Sequence, residues 1–451
     1  MIGREFPGGY FHSSDPMLQR FFNWRLRTPF YYGWLVLAIS FVATFAASGL
    51  TQVVLGGVQV YITEESGWDD GSLAFAATLG TWLSGMIAPV IGRLADRFGP
   101  RWLMPFGLIV AGIAFFVIAG SNSVVMFYGG YVVGRAVSNP VLVGLVPRTA
   151  AVNFFRQRRN IALALVSTFR PIAGAINIQI ISLIAVHQGW RAAYRYLGVL
   201  SLVLILPVML FVRRRPEDIG LLPDGANPDQ LRAETGNARP QPLTTEFSWT
   251  AKEAIRTRAF WLLLGITALG TLASSATGFS LVPFLVQDAG LSTVSAAGVL
   301  SLGTFLAVAN LFWGYLADRI TPRRCLIVMM IGAGAMMAFL LSVDSVGEAL
   351  LFAVIWGVFS GGLGSLENMV LAGYFGRGSY GTILGVFSPL QMIALGAGPA
   401  LASTVRSLTG DFYILYVAMG VAYFVSAVLM FIAKPPRRPA RAEAKTPGPG
   451  N

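Results

Sequence analysis

The sequence predicts an all-α polytopic membrane protein with twelve transmembrane helices in two pseudo-symmetric six-helix bundles. Three observations predict it. The composition is 55% hydrophobic and only 12% charged, about half the charged share of a soluble domain. Apolar runs alternate with short polar breaks along nearly the whole chain. A ten-residue segment occurs twice, at equivalent places in the two halves.

The apolar runs give the helices. A helix crosses the hydrocarbon core in about 20 residues, so twelve need roughly 240, which fits easily within 451. The first six are expected near 31–62, 71–91, 102–119, 123–151, 160–186 and 192–212. The second six are expected near 259–286, 293–316, 324–342, 347–374, 380–404 and 412–433. An even number of spans leaves both chain ends on one side. Of the 33 Lys and Arg residues, 28 fall on that side. Arg191, Arg195 and Arg406 fall on the other, and Arg135 and Arg170 lie inside helices. Basic residues stay cytoplasmic. The expectation is therefore a multi-pass protein of the inner (plasma) membrane with both termini cytoplasmic. The same distribution explains the net charge of +12 without nucleic acid as a partner.

The domain reading follows. Residues 1–30 form a cytoplasmic N-tail, in which Arg20 to Arg27 suits the lipid surface. The N-terminal bundle spans 31–212, a polar cytoplasmic linker 213–258, the C-terminal bundle 259–433 and a cytoplasmic C-tail 434–451. Trp249 to Ala259 is expected to form a short amphipathic surface helix. Cys325 is the single cysteine, so no intramolecular disulfide can form. His12 and His187 are far apart in sequence, and no metal motif arises. There is no nucleotide loop, no His/Cys cluster and no nucleophile–base pair, so neither an enzyme nor a cofactor is expected.

The repeat is the most specific signal. Gly92-Arg93-Leu94-Ala95-Asp96-Arg97-Phe98-Gly99-Pro100-Arg101 follows the second expected helix, and Gly314-Tyr315-Leu316-Ala317-Asp318-Arg319-Ile320-Thr321-Pro322-Arg323 the eighth. They coincide at seven of ten positions without a gap. Gly92 and Gly314 allow a neighbouring helix to approach the backbone closely. Asp96 and Asp318 can meet the positive N-terminus of a helix starting on the same side. Arg97 and Arg319 can pair with acids or lipid phosphate. Together these residues suit a latch that holds one conformation and opens in another.

On these residues the sequence resembles the major facilitator superfamily, whose signature loop between helices 2 and 3 has this form. More narrowly, it is similar to the monocarboxylate and oxalate/formate porter-like branch. That likeness rests on Glu65-Ser66-Gly67-Trp68, Asn153-Phe154-Phe155-Arg156-Gln157-Arg158-Arg159, Gly189-Trp190-Arg191, Arg215-Pro216-Glu217-Asp218-Ile219-Gly220 and Tyr374-Phe375-Gly376. The resemblance implies secondary active transport by alternating access, through a cavity between the two bundles. It also implies a small-molecule substrate, a coupling proton or ion, and a monomer with one complete pathway per chain in the lipid bilayer.

Ionisable groups within the membrane are expensive, which singles out Arg135, Arg170 and Glu367. An aqueous cavity would solvate the arginines and an organic anion could pair with them; the alternative for each is hydrogen bonding to free backbone carbonyls. Glu367 can carry a proton or form a structural ion pair, with Arg148 a candidate partner. Gln52 and Gln59 share one side of helix 1. Ser167, Arg170, Gly174 and Asn177 form a stripe on helix 5. Thr271, Trp356 and Gln391 add polar groups from helices 7, 10 and 11. Related branch members commonly carry an Arg where this chain has Asn310, an Asp where it has Leu306, and a Lys in helix 1 that is absent here. Proton-coupled monocarboxylate symport is therefore not carried over. The expected cargo is a small organic anion. A carrier or exporter of neutral or amphipathic compounds is a second reading, and a transporter-like membrane sensor a third.

Overall fold

The protein is described by a computed structural model over residues 28–68, 70–225 and 249–436. The Arg20 to Arg27 segment, linker residues 226–248 and C-tail residues 437–451 lie outside the described residues.

Twelve spans follow the expected order among the described residues. In the first half these are α1 (Tyr32–Ala47, resuming as Gln52–Ser66), α2 (Asp70–Phe98), α3 (Pro100–Ala119), α4 (Val124–Ser138, then Leu145–Phe154), α5 (Arg159–Gln188) and α6 (Trp190–Val203, then Ile205–Phe211). In the second half they are α7 (Arg258–Gln287), α8 (Thr293–Phe305, then Asn310–Arg319), α9 (Pro322–Leu340), α10 (Val346–Gly361, then Leu363–Phe375), α11 (Tyr380–Thr409) and α12 (Tyr413–Ile432). Among the described residues ten segments are each long and apolar enough to cross a membrane; α4 and α8 are not among them. A short helix, Ala251–Ile255, occupies part of the segment expected to lie on the surface. Thr250 and Glu253 cap it reciprocally.

The breaks correct the expectation of continuous helices. In α1 the chain tightens at Ser48–Leu50 and becomes extended at Thr51. The hydroxyls of Ser48 and Thr51 donate to the Phe45 and Ser48 carbonyls, at 2.8 and 2.6 Å. Such local bonds compete with the helical ladder. In α4 a wide turn over Asn139–Val143 contains Pro140, which has no amide hydrogen to donate. In α10 the break falls at Gly362, against the Trp313 ring. Trp313 Nε1 donates to the Val358 carbonyl at 2.7 Å.

The repeated segment is also differently placed. It was expected to be a loop beginning at Gly92, but Gly92 to Phe98 are the last turns of α2. The helix runs on because Ile91 and Ala95 are buried there. It stops at Gly99, with φ 77°, a conformation glycine adopts without penalty. Likewise Gly314 to Arg319 close α8.

The bundles meet chiefly where α2 packs on α11 and α5 on α8. One hydrophobic core spans both halves and includes Phe154, Ala164, Trp313, Phe375 and Phe387. A second, including Phe284, Phe352, Trp356 and Tyr416, is confined to α7–α12. Phe75, Met86, Phe305 and Phe431 are exposed on the outside, as a lipid-facing belt requires. The end carrying residues 28, 213–225 and 436 is called the linker end below, and the opposite end the distal end.

Candidate transport pathway between the bundles

At the linker end the bundles are bonded to each other. Asp96, at the end of α2, accepts hydrogen bonds from the amides of Gly381 and Thr382 and from the Thr382 hydroxyl, at 3.0, 2.7 and 2.7 Å. These amides open α11, where unpaired N–H groups and the helix dipole favour an anion. A Cβ at Gly92 would collide with the Gly381 backbone, 2.8 Å from its carbonyl carbon. The second copy repeats the relation. Asp318 accepts from Asn160 Nδ2 at 2.7 Å, at the start of α5, and a Cβ at Gly314 would stand 2.5 Å from the Ala164 Cβ. Arg97 and Arg319 do not bridge the halves among the described residues. They lie exposed over Phe98 and Tyr315, 5.2 and 4.8 Å from the ring centroids.

Further bonds cross at this end. Arg377, between α10 and α11, donates to Glu217 at 2.5 Å and to the Asn153 carbonyl at 3.1 Å. Arg159 donates to the Ala372 carbonyl at 3.3 Å. Asp224, with φ 60°, accepts the amides of Arg156, Gln157 and Arg158 at 2.8, 2.6 and 3.2 Å, tying the linker to the α4–α5 turn.

Asn310 joins this closure. It is 3% exposed, donates to the Ala164 carbonyl across the interface at 3.1 Å, and accepts from Ser365. An amide here fastens α8 to α5.

The distal end differs. Its ion pairs stay within one half: Arg191 with Glu65 in the first, and Arg406 with Asp288 at 2.5 Å in the second. No ion pair joins the halves there among the described residues. The bundles are therefore bonded to each other at the linker end.

Between the ends, the candidate residues separate by environment. Arg135 is 4% exposed. Its Nε and Nη2 donate to the Thr81 hydroxyl at 3.0 and 2.8 Å, and Nη1 to the Leu50 carbonyl at 2.6 Å. The α1 break exposes that carbonyl, so Arg135 braces α1, α2 and α4. Asn177 does similar work. It is fully buried and donates to the Phe45 carbonyl and the Ser48 hydroxyl at the same break.

Arg170 behaves otherwise. It lies eleven residues into α5, roughly 16 Å along the axis, near the middle of a core about 30 Å thick. The protein surrounds it, with Arg135, Arg148 and Tyr131 near enough to act on it electrostatically. Yet its side chain is exposed, and it has no hydrogen-bond or ion-pair partner among the described residues. A side chain both deep and reachable by water lines an internal space. One turn along, a Cβ at Gly174 would meet nothing within 4 Å.

Glu367, on the second part of α10, is 6% exposed, and its Oε1 accepts no hydrogen bond. The charged group acting on it is Arg148 of α4. The ion pair allowed for between them is not formed. Arg148 had been counted among the residues outside the membrane; it lies within α4, half-buried, with an unpartnered Nε.

The remaining candidates are not brought together. Trp356 is packed in the second core, stacked on Phe352. Thr271 and Gln391 are half-buried on α7 and α11, without hydrogen bonds among the described residues. The side chains of Gln52 and Gln59 lie outside the described residues. Thr81 and Asn160, which sequence reasoning missed, are ordinary polar residues on helix faces; only the packing gives them partners.

Two six-helix bundles that latch at one end around a water-reachable interior define a membrane transporter. The sequence model of the Major Facilitator Superfamily matches residues 36–399 and, in a second match, 302–450, and the chain belongs to that family. It is 26% identical over 437 residues to Monocarboxylate transporter 11 of Homo sapiens, covering 91% of this chain and 84% of that one. It is 23% identical over 379 residues to the Oxalate:formate antiporter of Oxalobacter formigenes, covering 79% of each. Among solved structures it is similar to a Major Facilitator Superfamily transporter, FucP, in the outward conformation. The TM-score is 0.67 at 14% identity, over 89% of this chain and 98% of the other. These likenesses support the family to which the repeated segment pointed and the branch to which the five shorter motifs pointed.

Proposed function

We propose that this protein is a secondary active transporter of a small organic anion, a carboxylate, working by alternating access. The observation that carries the reading is Arg170, an unpaired guanidinium in the membrane middle that water can reach. A carboxylate can pair with it in bidentate geometry. Arg148, half-buried with a free Nε, supplies a second positive group from α4. The Oxalate:formate antiporter and Monocarboxylate transporter 11, which this chain resembles, are named for anions of this chemistry.

The basic residues at the linker end make it the cytoplasmic end, in an inner (plasma) membrane. The state described is then closed to the cytoplasm and faces outward. Residues 31–212 and 259–433 are the two rocking bundles, with 213–258 as the cytoplasmic linker. The repeated segment is the gate, through Asp96 and Asp318.

A ligand-stabilisation screen of the purified chain tests the reading. Formate, oxalate and lactate should raise the melting temperature, and Arg170→Ala should abolish the rise. Stabilisation by fucose or choline but by no carboxylate would overturn it.

A further inference from the structure

At the linker end α7 begins and α12 ends, packed side by side. Between them lies a cavity of about 300 Å³, at the lower end of the range for small-ligand sites. Its rim is basic. Arg258, the first residue of α7, and Lys434, two residues past α12, both line it. Both are exposed, and neither has a hydrogen-bond or ion-pair partner among the described residues. The Thr257 hydroxyl on the same rim is already engaged. It donates to the Ala254 carbonyl at 2.7 Å and accepts from the Phe260 amide at 3.2 Å. Among the described residues no acidic side chain lines the cavity, so what the rim offers is two uncompensated cations from two helices.

The rest of the lining is apolar and leads into the membrane. Ala259, Leu262 and Ile432 form it. One turn deeper, on the side of α7 that carries Leu262, a Cβ at Gly265 would meet nothing within 4 Å. On the side of α12 that carries Ile432, Val428 and Phe424 follow one and two turns deeper and are exposed. An anion held at the rim thus has an open apolar track beneath it. A soluble anion makes no use of such a track, whereas acyl chains fill it. The chain's own C-tail does not suit the cavity. Residues 437–451 carry Arg437, Arg438, Arg441 and Lys445 against the one acid Glu443, and like charges repel.

We propose that this cavity is a headgroup site for an anionic phospholipid in the leaflet at the linker end. The lipid phosphate pairs with Arg258 and Lys434, and the acyl chains run along α7 and α12. Basic pockets between helices at this level of the membrane suit such headgroups. The bound lipid ties the first turn of α7, which follows the linker, to the last turn of α12. The site is independent of the cargo and of the joints between the bundles.

The test is lipid binding by the full-length chain in detergent. Native mass spectrometry counts bound lipid as phosphatidylglycerol or phosphatidylcholine with the same acyl chains is added. One phosphatidylglycerol should bind in preference to phosphatidylcholine. Arg258→Ala combined with Lys434→Ala should weaken that binding roughly 30-fold, the effect of two basic residues at a membrane surface. Arg258→Lys combined with Lys434→Arg keeps both charges and should retain most of it. Arg93→Ala combined with Arg324→Ala removes the same charge from exposed positions elsewhere at the linker end and should leave it unchanged. Equal weakening by the two alanine pairs would show a diffuse surface attraction and overturn the site, as would equal binding of the two lipids. Glycerol 3-phosphate provides the soluble arm, read by thermal unfolding. If it stabilises the chain as much as phosphatidylglycerol does, the cavity takes a soluble anion and the lipid proposal falls. All four substituted side chains are exposed, so the variants should fold.

Discussion

Asp96 holds Thr382 twice, through its amide and through its hydroxyl, each at 2.7 Å, and so fastens the end of α2 to the beginning of α11. With the Gly381 amide, this is a carboxylate seated on a helix N-terminus contributed by the other bundle. It joins the bundles through three hydrogen bonds at the linker end, and the state of the carrier should depend on it.

Asp96→Asn is expected to open the linker end. Hydrogen bonds to a charged group contribute about 1.5–3 kcal/mol each, and 1.4 kcal/mol is tenfold in a population. Loss of one such bond should shift the closed-to-open ratio roughly 10- to 100-fold. Spin labels on the linker-end turns of the two bundles would report the shift as a longer distance distribution. An unchanged distribution would show that the joint does not set the state.

The two glycines of the repeat should respond differently to the same change. At Gly92 the obstacle to a Cβ is the Gly381 backbone, which cannot be trimmed. At Gly314 it is the Ala164 Cβ at 2.5 Å, which can. Both Gly92→Ala and Gly314→Ala should impair transport by forcing the halves apart. Adding Ala164→Gly should restore function to Gly314→Ala and leave Gly92→Ala impaired. Uptake of a confirmed substrate in proteoliposomes measures this, and failure of the rescue would argue against a simple steric contact.

The contrast between these sites and the membrane middle explains how far the sequence could be read. The fold was legible because twelve apolar runs and a gapless repeat are properties of the chain alone. The repeat also pointed to Asp96 and Asp318 at helix N-termini, although it did not reveal that Gly92 lies inside its helix. The roles of the buried arginines were less legible. Arg135 and Arg170 look alike in sequence, each a lone guanidinium in an apolar run. What separates them is the break at Ser48–Thr51, which frees the Leu50 carbonyl for Arg135. That break comes from short hydroxyl bonds within a run that otherwise reads as continuous helix. Arg148, named only as a candidate partner for Glu367, was counted with the cytoplasmic charges because it lies near a helix end, where a basic residue ordinarily reaches water.

The two arginines should therefore separate in experiment. Arg135→Ala leaves the Leu50 carbonyl and the Thr81 hydroxyl without this partner in a buried place. Losing one such bond to a charged group costs about 1.5–3 kcal/mol, enough to lower the melting temperature clearly. Arg170→Ala removes a side chain with no partner among the described residues, and the melting temperature of the ligand-free protein should hardly move. Transport should fail in both, but anion-induced stabilisation should be lost selectively in Arg170→Ala. Thermal unfolding in detergent, with and without formate, separates the two roles. Equal destabilisation of the two variants would contradict the assignment.

The last prediction concerns Arg377, which reaches two partners at once. Its guanidinium donates to Glu217, just after α6, and to the Asn153 carbonyl near the end of α4. The turn between α10 and α11 is thus held to the first half at two points. The Glu217 pair is partly exposed, with 14% and 28% of the side chains accessible, and such pairs contribute about 0.2–1 kcal/mol. Glu217→Gln should therefore loosen the linker end less than Asp96→Asn does. Arg377→Ala removes both bonds and should loosen it more than Glu217→Gln. Because the carbonyl bond does not need Glu217, the double variant should resemble Arg377→Ala alone. Their non-additivity in the open-to-closed ratio, read from the same spin-label distances, gives the coupling of the pair. Full additivity would mean that the ion pair contributes nothing to closure and that the Asn153 carbonyl alone holds the turn.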